Sequence, residues 1–192
     1  MASKEKVKEK YGLSYSAFFP IKEEPENAHP SYDAAIDLGA AVKAYLTINY
    51  AESKAYGDDS LQLDLKEFAG GQLDAETLLN ELEVEAALFG SKMEGDALTD
   101  SKDDRCKTGG YAYIQKLATK TGTVHRACFI YKVTPKMTSD NADTKAEGFT
   151  FAHNAISYSV AADNTGAWRV RKDCDTEADA KAFIAQTAGQ TA

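Results

Sequence analysis

No apolar run in the 192 residues approaches the ~20 positions that a membrane helix requires. The Lys/Glu-rich opening, Met1 to Lys10, lacks the apolar core of a secretory leader, so synthesis and assembly in a cytoplasm are expected. Cysteine is scarce: Cys106, Cys128 and Cys174 are odd in number and widely spaced, with no C-x-x-C. They read as reduced structural thiols and not as a disulfide framework. The 3 histidines, His29, His125 and His153, include no pair at metal-ligand spacing. Positive charge is in deficit, 22 Lys+Arg against 30 Asp+Glu, for a net charge of -8. Gripping a duplex needs Lys and Arg to replace counterions, so a nucleic-acid clamp is disfavoured. No phosphate loop is present either: Gly109-Gly110-Tyr111 lacks the Lys-Ser/Thr that would follow and precedes a strand pattern.

What remains is an ordinary globular composition, 43% hydrophobic and 27% charged. The length fits one domain, spanning 11–188, with a mobile arm at 1–10 and a frayed tail at 189–192. Acids concentrate in the middle third: 15 of them face 4 bases between Glu52 and Asp104. A charge run of this kind is most often a solvated face.

Period-2 alternation dominates. Tyr11 to Ile21 is aromatic-rich and predicts a first strand, followed by a loop at 22–31 with Pro25 and Pro30. Val42, Ala44, Leu46, Ile48 and Tyr50 alternate with polar neighbours, as do Leu61, Leu63 and Leu65. The connector Ala51 to Ser60 exceeds a tight hairpin and predicts a loop available for contact. Gly70-Gly71 then reads as a strand break. Asp74 reads as an N-cap, with Ala75, Leu78, Leu79, Leu82 and Ala86 at helical spacing up to a stop at Gly90. Ser91 to Gly110 predicts a long loop. Tyr111–Ala118 and Thr123–Val133 predict a hairpin, with Val124, Arg126, Cys128 and Ile130 on one face and His125, Ala127, Phe129, Tyr131 and Val133 on the other. Residues 134–148 predict a loop, and 148–160 with 167–171 a second hairpin. Thr176 with Asp179 caps a last helix that buries Ala180, Phe183 and Ile184. The expected fold is mainly β: an antiparallel sandwich or barrel with a flanking helix at about 74–89 and a short C-terminal helix at about 177–187.

Chemistry is thin along this pattern. Cys128 and His125 fall on opposite faces of one strand and form no local Cys-His couple. Asp58-Asp59 and Asp103-Asp104 lack the layout of a calcium loop. Trp168, beside Arg169 and Arg171, reads as a core plug. An apolar barrel interior could also take a small ligand, and periodicity does not separate a calyx from a sandwich core.

The order of landmarks resembles the major tail, or tail tube, proteins of long-tailed bacteriophages. They are Tyr11-Gly-Leu, Leu38-Gly-Ala-Ala-Val, Ala55-Tyr-Gly-Asp-Asp, Lys66-Glu-Phe-Ala-Gly-Gly-Gln-Leu, Leu88-Phe-Gly, Phe129-Ile-Tyr-Lys-Val, Thr144-Lys-Ala-Glu-Gly-Phe-Thr-Phe and Thr165-Gly-Ala-Trp. Together they span about Tyr11 to Ala185. The Lys-rich opening and the Pro-containing loop depart from that pattern. The resemblance implies a virion structural protein with no catalysis and no cofactor. It implies hexameric rings that stack into a tube, with tape-measure, terminator and distal tail or baseplate proteins as further partners. DNA would pass through without specific binding. A globule of this length has a radius of gyration of about 16 Å, and six such bodies in a ring leave a bore that passes a duplex. Glu52, Tyr56, Asp58 and Asp59 are then expected to reach the next ring, with Tyr56 as anchor. Asp64, on the polar face of a strand, is expected to face the lumen. The rival expectations are a ligand-binding or adhesin-like β domain and, more remotely, a small hydrolase using Cys128 or a histidine.

Overall fold

The computed structural model describes residues 7–79, 81–137 and 154–190. Eleven strands and two helices follow in the order β1 (Glu9–Glu23), β2 (Ser31–Tyr32), β3 (Ile36–Asp37), β4 (Ala41–Gly57), β5 (Ser60–Thr77), α1 (Leu82–Phe89), β6 (Lys92–Glu94), β7 (Ala97–Thr99), β8 (Gly109–Thr119), β9 (Gly122–Lys136), β10 (Asn154–Ala161), β11 (Arg169–Cys174) and α2 (Glu177–Thr187). All pairings are antiparallel. The main sheet runs β2-β1-β8-β9-β10-β5-β4, with β11 also on β9 and β3 on β1. It does not close: β4 ends it, so the fold is the mainly-β sandwich with flanking helices and not a barrel.

One sheet makes both layers by folding over itself. Phe18, Tyr111, Tyr113, Cys128 and Ile130 face inward from β1, β8 and β9. Leu73 and Ala75 of β5, Ile156, Tyr158 and Val160 of β10, and Leu88 and Phe89 of α1 close over them. The Tyr158 ring lies 5.0 Å from Tyr111 and 6.3 Å from Phe18. Tyr111 and Ser16 share a buried hydroxyl hydrogen bond of 2.6 Å. This gap is filled by side chains. The opposite face of β1-β8-β9 buries Ala17, Phe19, Ala112, Ile114 and Phe129 beneath Ala180 and Ile184 of α2. Thr176 caps α2 by accepting from the Asp179 N–H at 3.1 Å, as the sequence predicts.

The strand β9 holds the layers together. Along one edge it pairs with β8; along the other it pairs first with β11, at 125–130, and then with β10, at 132–136. β10 and β11 are thus end to end on one edge and not the hairpin expected from their spacing. A bulge against β8 between Ile130 and Val133 marks the same point. It turns Val133 onto the face of Cys128 and Ile130, against the simple alternation.

Other expectations are corrected by pairing across the chain. Glu9 and Lys10, assigned to the arm, already pair with Leu117 and Ala118. The segment 51–57, expected as a loop, continues β4. Gly70-Gly71 does not end β5, which runs on to Thr77 between β4 and β10. Leu73, Ala75 and Thr77 are buried in period 2, so the helix expected from 74 begins at Leu82 behind Glu81. Two-sided ladder pairing overrides local helix preference here. Its end at Gly90 is as expected, with φ 81 and a 2.9 Å bond from the Gly90 N–H to the Ala86 carbonyl. The segment 91–110 contains the small β6-β7 pair as well as loop. The expected loop at 134–148 starts only after Lys136; its remainder, the start of the 148–160 strand, His153 and the 144–151 landmark lie outside the described residues, apart from 154–160 in β10.

Candidate assembly surface

β4 and β5 form a hairpin that outgrows the body it stands on. Its root is seated where Phe68 stacks on Trp168, ring centroids 4.8 Å apart and 3° from parallel. From the pair Tyr50–Phe68 to the pair Gly57–Ser60 the ladder continues for seven more residues of β4. At roughly 3.3 Å per residue this is an overhang of about 23 Å. Residues 51–56 and 58–67 are all exposed. From Gly70 back to Ser60, toward the tip, β5 pairs only with β4, and β4 pairs with β5 alone, among the described residues.

The two faces of the overhang differ, because directly paired residues share a face. Glu52 opposite Lys66 and Lys54 opposite Asp64 form a charged ladder. Lys66 donates to Glu52 at 2.7 Å, and Lys54 lies 3.6 Å from the same carboxylate. The hydrogen bond to Lys66 and its charge hold the Glu52 carboxyl below the ordinary range. The other face carries Ala51, Ser53 and Ala55 opposite Glu67, Leu65 and Leu63. A bulge at Gln62 then brings Leu61 opposite Tyr56, and this pair stands on the face of Glu52 and Lys54. Tyr56 is 70% exposed, and Leu61, Leu63 and Leu65 are each 47–49% exposed. Apolar side chains thus stand exposed on both faces, Leu63 and Leu65 on one and Tyr56 with Leu61 on the other; a two-stranded hairpin is marginal alone, and exposed apolar side chains gathered at its end mark an interaction site.

The tip is a two-residue turn, Asp58-Asp59, with φ 50 and 60. Both positions need the left-handed region, as a type I′ turn does, where Asn-Gly is the favoured pair. Two adjacent carboxylates stand there instead. Of the sequence candidates, Glu52, Tyr56, Asp58 and Asp59 therefore sit on one projecting arm. Asp64 sits on it too, on the charged face beside bases and not on an acidic wall.

A second feature escaped the sequence reading. Beneath the arm root, Arg126, Arg169, Val170, Arg171 and Asp173 line an open groove of about 600 Å³. Arg126 binds Asp173 with two hydrogen bonds, 2.6 and 3.1 Å, and Lys8 reaches the same carboxylate at 2.7 Å. These partners, hydrogen bonding from Arg126 foremost, pull the Asp173 carboxyl down to about 2. Arg169 lies over the Trp168 ring at 4.3 Å. Burial first, and then the like charge of Arg171, lowers its affinity for a proton. The signal was the alternation Arg169-Val170-Arg171, which puts both guanidinium groups on one face of β11 while Val170 packs toward α2.

The turn that delivers Trp168 and Arg169 is fixed by one carboxylate. Asp163, whose side chain is inaccessible to solvent, accepts from Thr165 N–H, Thr165 hydroxyl and Ala167 N–H at 2.9, 2.7 and 3.0 Å. Its other oxygen lies 2.6 Å from His29 Nδ1. Burial raises its pKa, but these hydrogen bonds outweigh burial and leave it below the ordinary value. His29 stacks flat on Tyr131 at 4.4 Å. The arrangement ties the 24–30 loop to the turn.

The Cys128 thiol is buried, donates to the Arg126 carbonyl at 3.8 Å, and has its pKa pushed up by burial. His125 pairs across the ladder with Cys174, which burial likewise pushes up. Among the described residues no three His, Cys, Asp or Glu side chains gather to hold a metal, and no helix is long and apolar enough to cross a membrane. No protein-family model matches the chain, and no curated protein matches it.

Proposed function

We propose that the chain is a structural subunit that assembles with copies of itself, as the tail tube proteins it resembles in sequence do: rings stacked into a conduit for duplex DNA in a virion tail. One observation carries the reading, the β4–β5 arm, which among the described residues leaves Tyr56, Leu61, Leu63 and Leu65 exposed. The unpaired length of β4 adds a second kind of valence, since an open edge strand is a template for another chain's strand. Head-to-tail contacts that close give rings, and those that do not close give stacks. Acid and base alternate on the charged face of the arm, Glu52, Lys54, Asp64 and Lys66. A near-neutral ladder of this kind lets DNA slide, where a basic wall would hold it by counterion release.

The filled interior, with Phe18, Tyr111 and Tyr158 in mutual contact, argues against a ligand calyx. The test is direct imaging. Concentrated protein in negative-stain electron microscopy and sedimentation should give annuli or tubes. A variant in which residues 51–67 are replaced by Asn-Gly, joining Tyr50 to Phe68, should fold but stay dispersed. A wild-type chain that remains monomeric at every concentration overturns the proposal, as does normal assembly of the shortened variant.

A further inference from the structure

The arm tip and the arginine groove are complementary in charge, and they cannot meet within one chain. Arg169 lies on Trp168 at the arm root. Asp58 and Asp59 lie at the far end of an overhang of about 23 Å. The groove holds an excess of cations: Lys8, Arg126, Arg169 and Arg171 against the single carboxylate of Asp173. Asp173 is engaged by Arg126 and Lys8, and no carboxylate of the described residues pairs with Arg169 or Arg171. Two guanidinium groups two residues apart on one strand face, Arg169 of them half-buried and beside the like charge of Arg171, form a costly arrangement that an external anion would relieve. The tip has the mirror-image problem: two carboxylates side by side, at φ values that Asn-Gly would adopt with less strain.

We infer that the groove lined by Arg169 and Arg171 is the receptor for the Asp58-Asp59 tip of a second copy of this chain. The contact is heterologous, so each copy offers one tip and one groove and the interaction propagates from copy to copy. Guanidinium-carboxylate pairing gives it geometric register. Partial burial of Arg169 makes the pair less screened than a pair on the open surface. The inference deepens the self-assembly reading and rests on it.

Three variants test it. Asp58→Asn with Asp59→Gly removes the charge while giving the hairpin its preferred turn, so loss of assembly cannot be blamed on a weakened arm. Asp59→Lys and Arg171→Glu, both at exposed positions, cancel the net charge of the tip and set a carboxylate into the groove in turn. Sedimentation at roughly physiological salt should show each of the three assembling at least tenfold less than wild type at equal concentration. An equimolar mixture of Asp59→Lys and Arg171→Glu chains should recover assembly, because the charge introduced at position 59 of one chain then finds its opposite at position 171 of the other, and the unaltered tip finds an unaltered groove. Arg171→Lys, which keeps the charge and loses the planar fork, should assemble better than Arg171→Glu and less than wild type. Wild type that assembles while the charge-altered variants assemble equally well overturns the tip-to-groove pairing alone. Failure of the mixture to recover overturns it too. Wild type with no self-association at all overturns both this pairing and the assembly reading.

Discussion

Replacing Asp163 by Ala should cost more stability than any single contact in the turn suggests. The substitution removes one acceptor set and strands two backbone donors, Thr165 N–H and Ala167 N–H, together with the His29 ring and the Thr165 hydroxyl. Hydrogen bonds to a charged group contribute about 1.5–3 kcal/mol each when lost outright, but water reaches this turn and replaces part of them. A net loss of about 3 kcal/mol is expected, equivalent to a fall of roughly 6–12 °C in Tm for a chain of this size. Asp163→Asn keeps an oxygen in the Oδ1 position and should lose only about 1 kcal/mol. The pH dependence separates charge from shape. The folded pKa of Asp163 lies below its unfolded value, so its stabilisation is complete above about pH 4 and is lost as pH falls through the folded pKa. Wild type should therefore lose Tm faster than Asp163→Asn does as pH falls below about 4. Scanning calorimetry across that range is the assay. A Tm drop under about 2 °C for Asp163→Ala at pH 7, or acid limbs that superimpose, would refute the role given to this carboxylate.

Two further outcomes follow from burial and from close backbone approach. Of the 3 thiols, a reagent such as an aromatic disulfide should titrate one, Cys106, in the native protein and all three in denaturant; fast native labelling of Cys128 would revive a thiol nucleophile. Gly71→Ala would set a Cβ 2.6 Å from the Thr47 carbonyl, a backbone atom that cannot yield without moving the ladder. It should cost about 1–3 kcal/mol and loosen hydrogen-exchange protection at the arm root, and protection unchanged at β4 would count against that geometry.

The strands were legible where alternation met one half-buried face, as at Ala44, Leu46 and Ile48. Alternation at Leu61, Leu63 and Leu65 was equally clear, yet it conveyed nothing about burial: the same period describes a half-buried strand and an arm in solvent. Gly70-Gly71 looked like punctuation. In the fold Gly70, with φ 118, lies at a bulge where Asn49 and Tyr50 face Gly70 and Phe68, so the glycines bend the ladder and do not stop it. Ala75, Leu78, Leu79 and Leu82 have helical spacing, but neighbours distant in sequence claim Leu73 to Thr77 from both sides. The arginine groove needed β11 to be placed on β9, a fact of topology. The tip acids were visible as an unusual Gly-Asp-Asp, while the absence of anything beneath them was not.

That β9 is shared by both layers also decides how the chain bears force. Tension on the arm tip enters through β5, crosses to β10 and arrives at β9, which is clamped on its far edge by β8. Along this route the rungs lie across the direction of pull, so they resist together and do not unzip one after another. A filament of such units would stretch as a cable does, with every link loaded through the middle of its sheet and never through a dangling end.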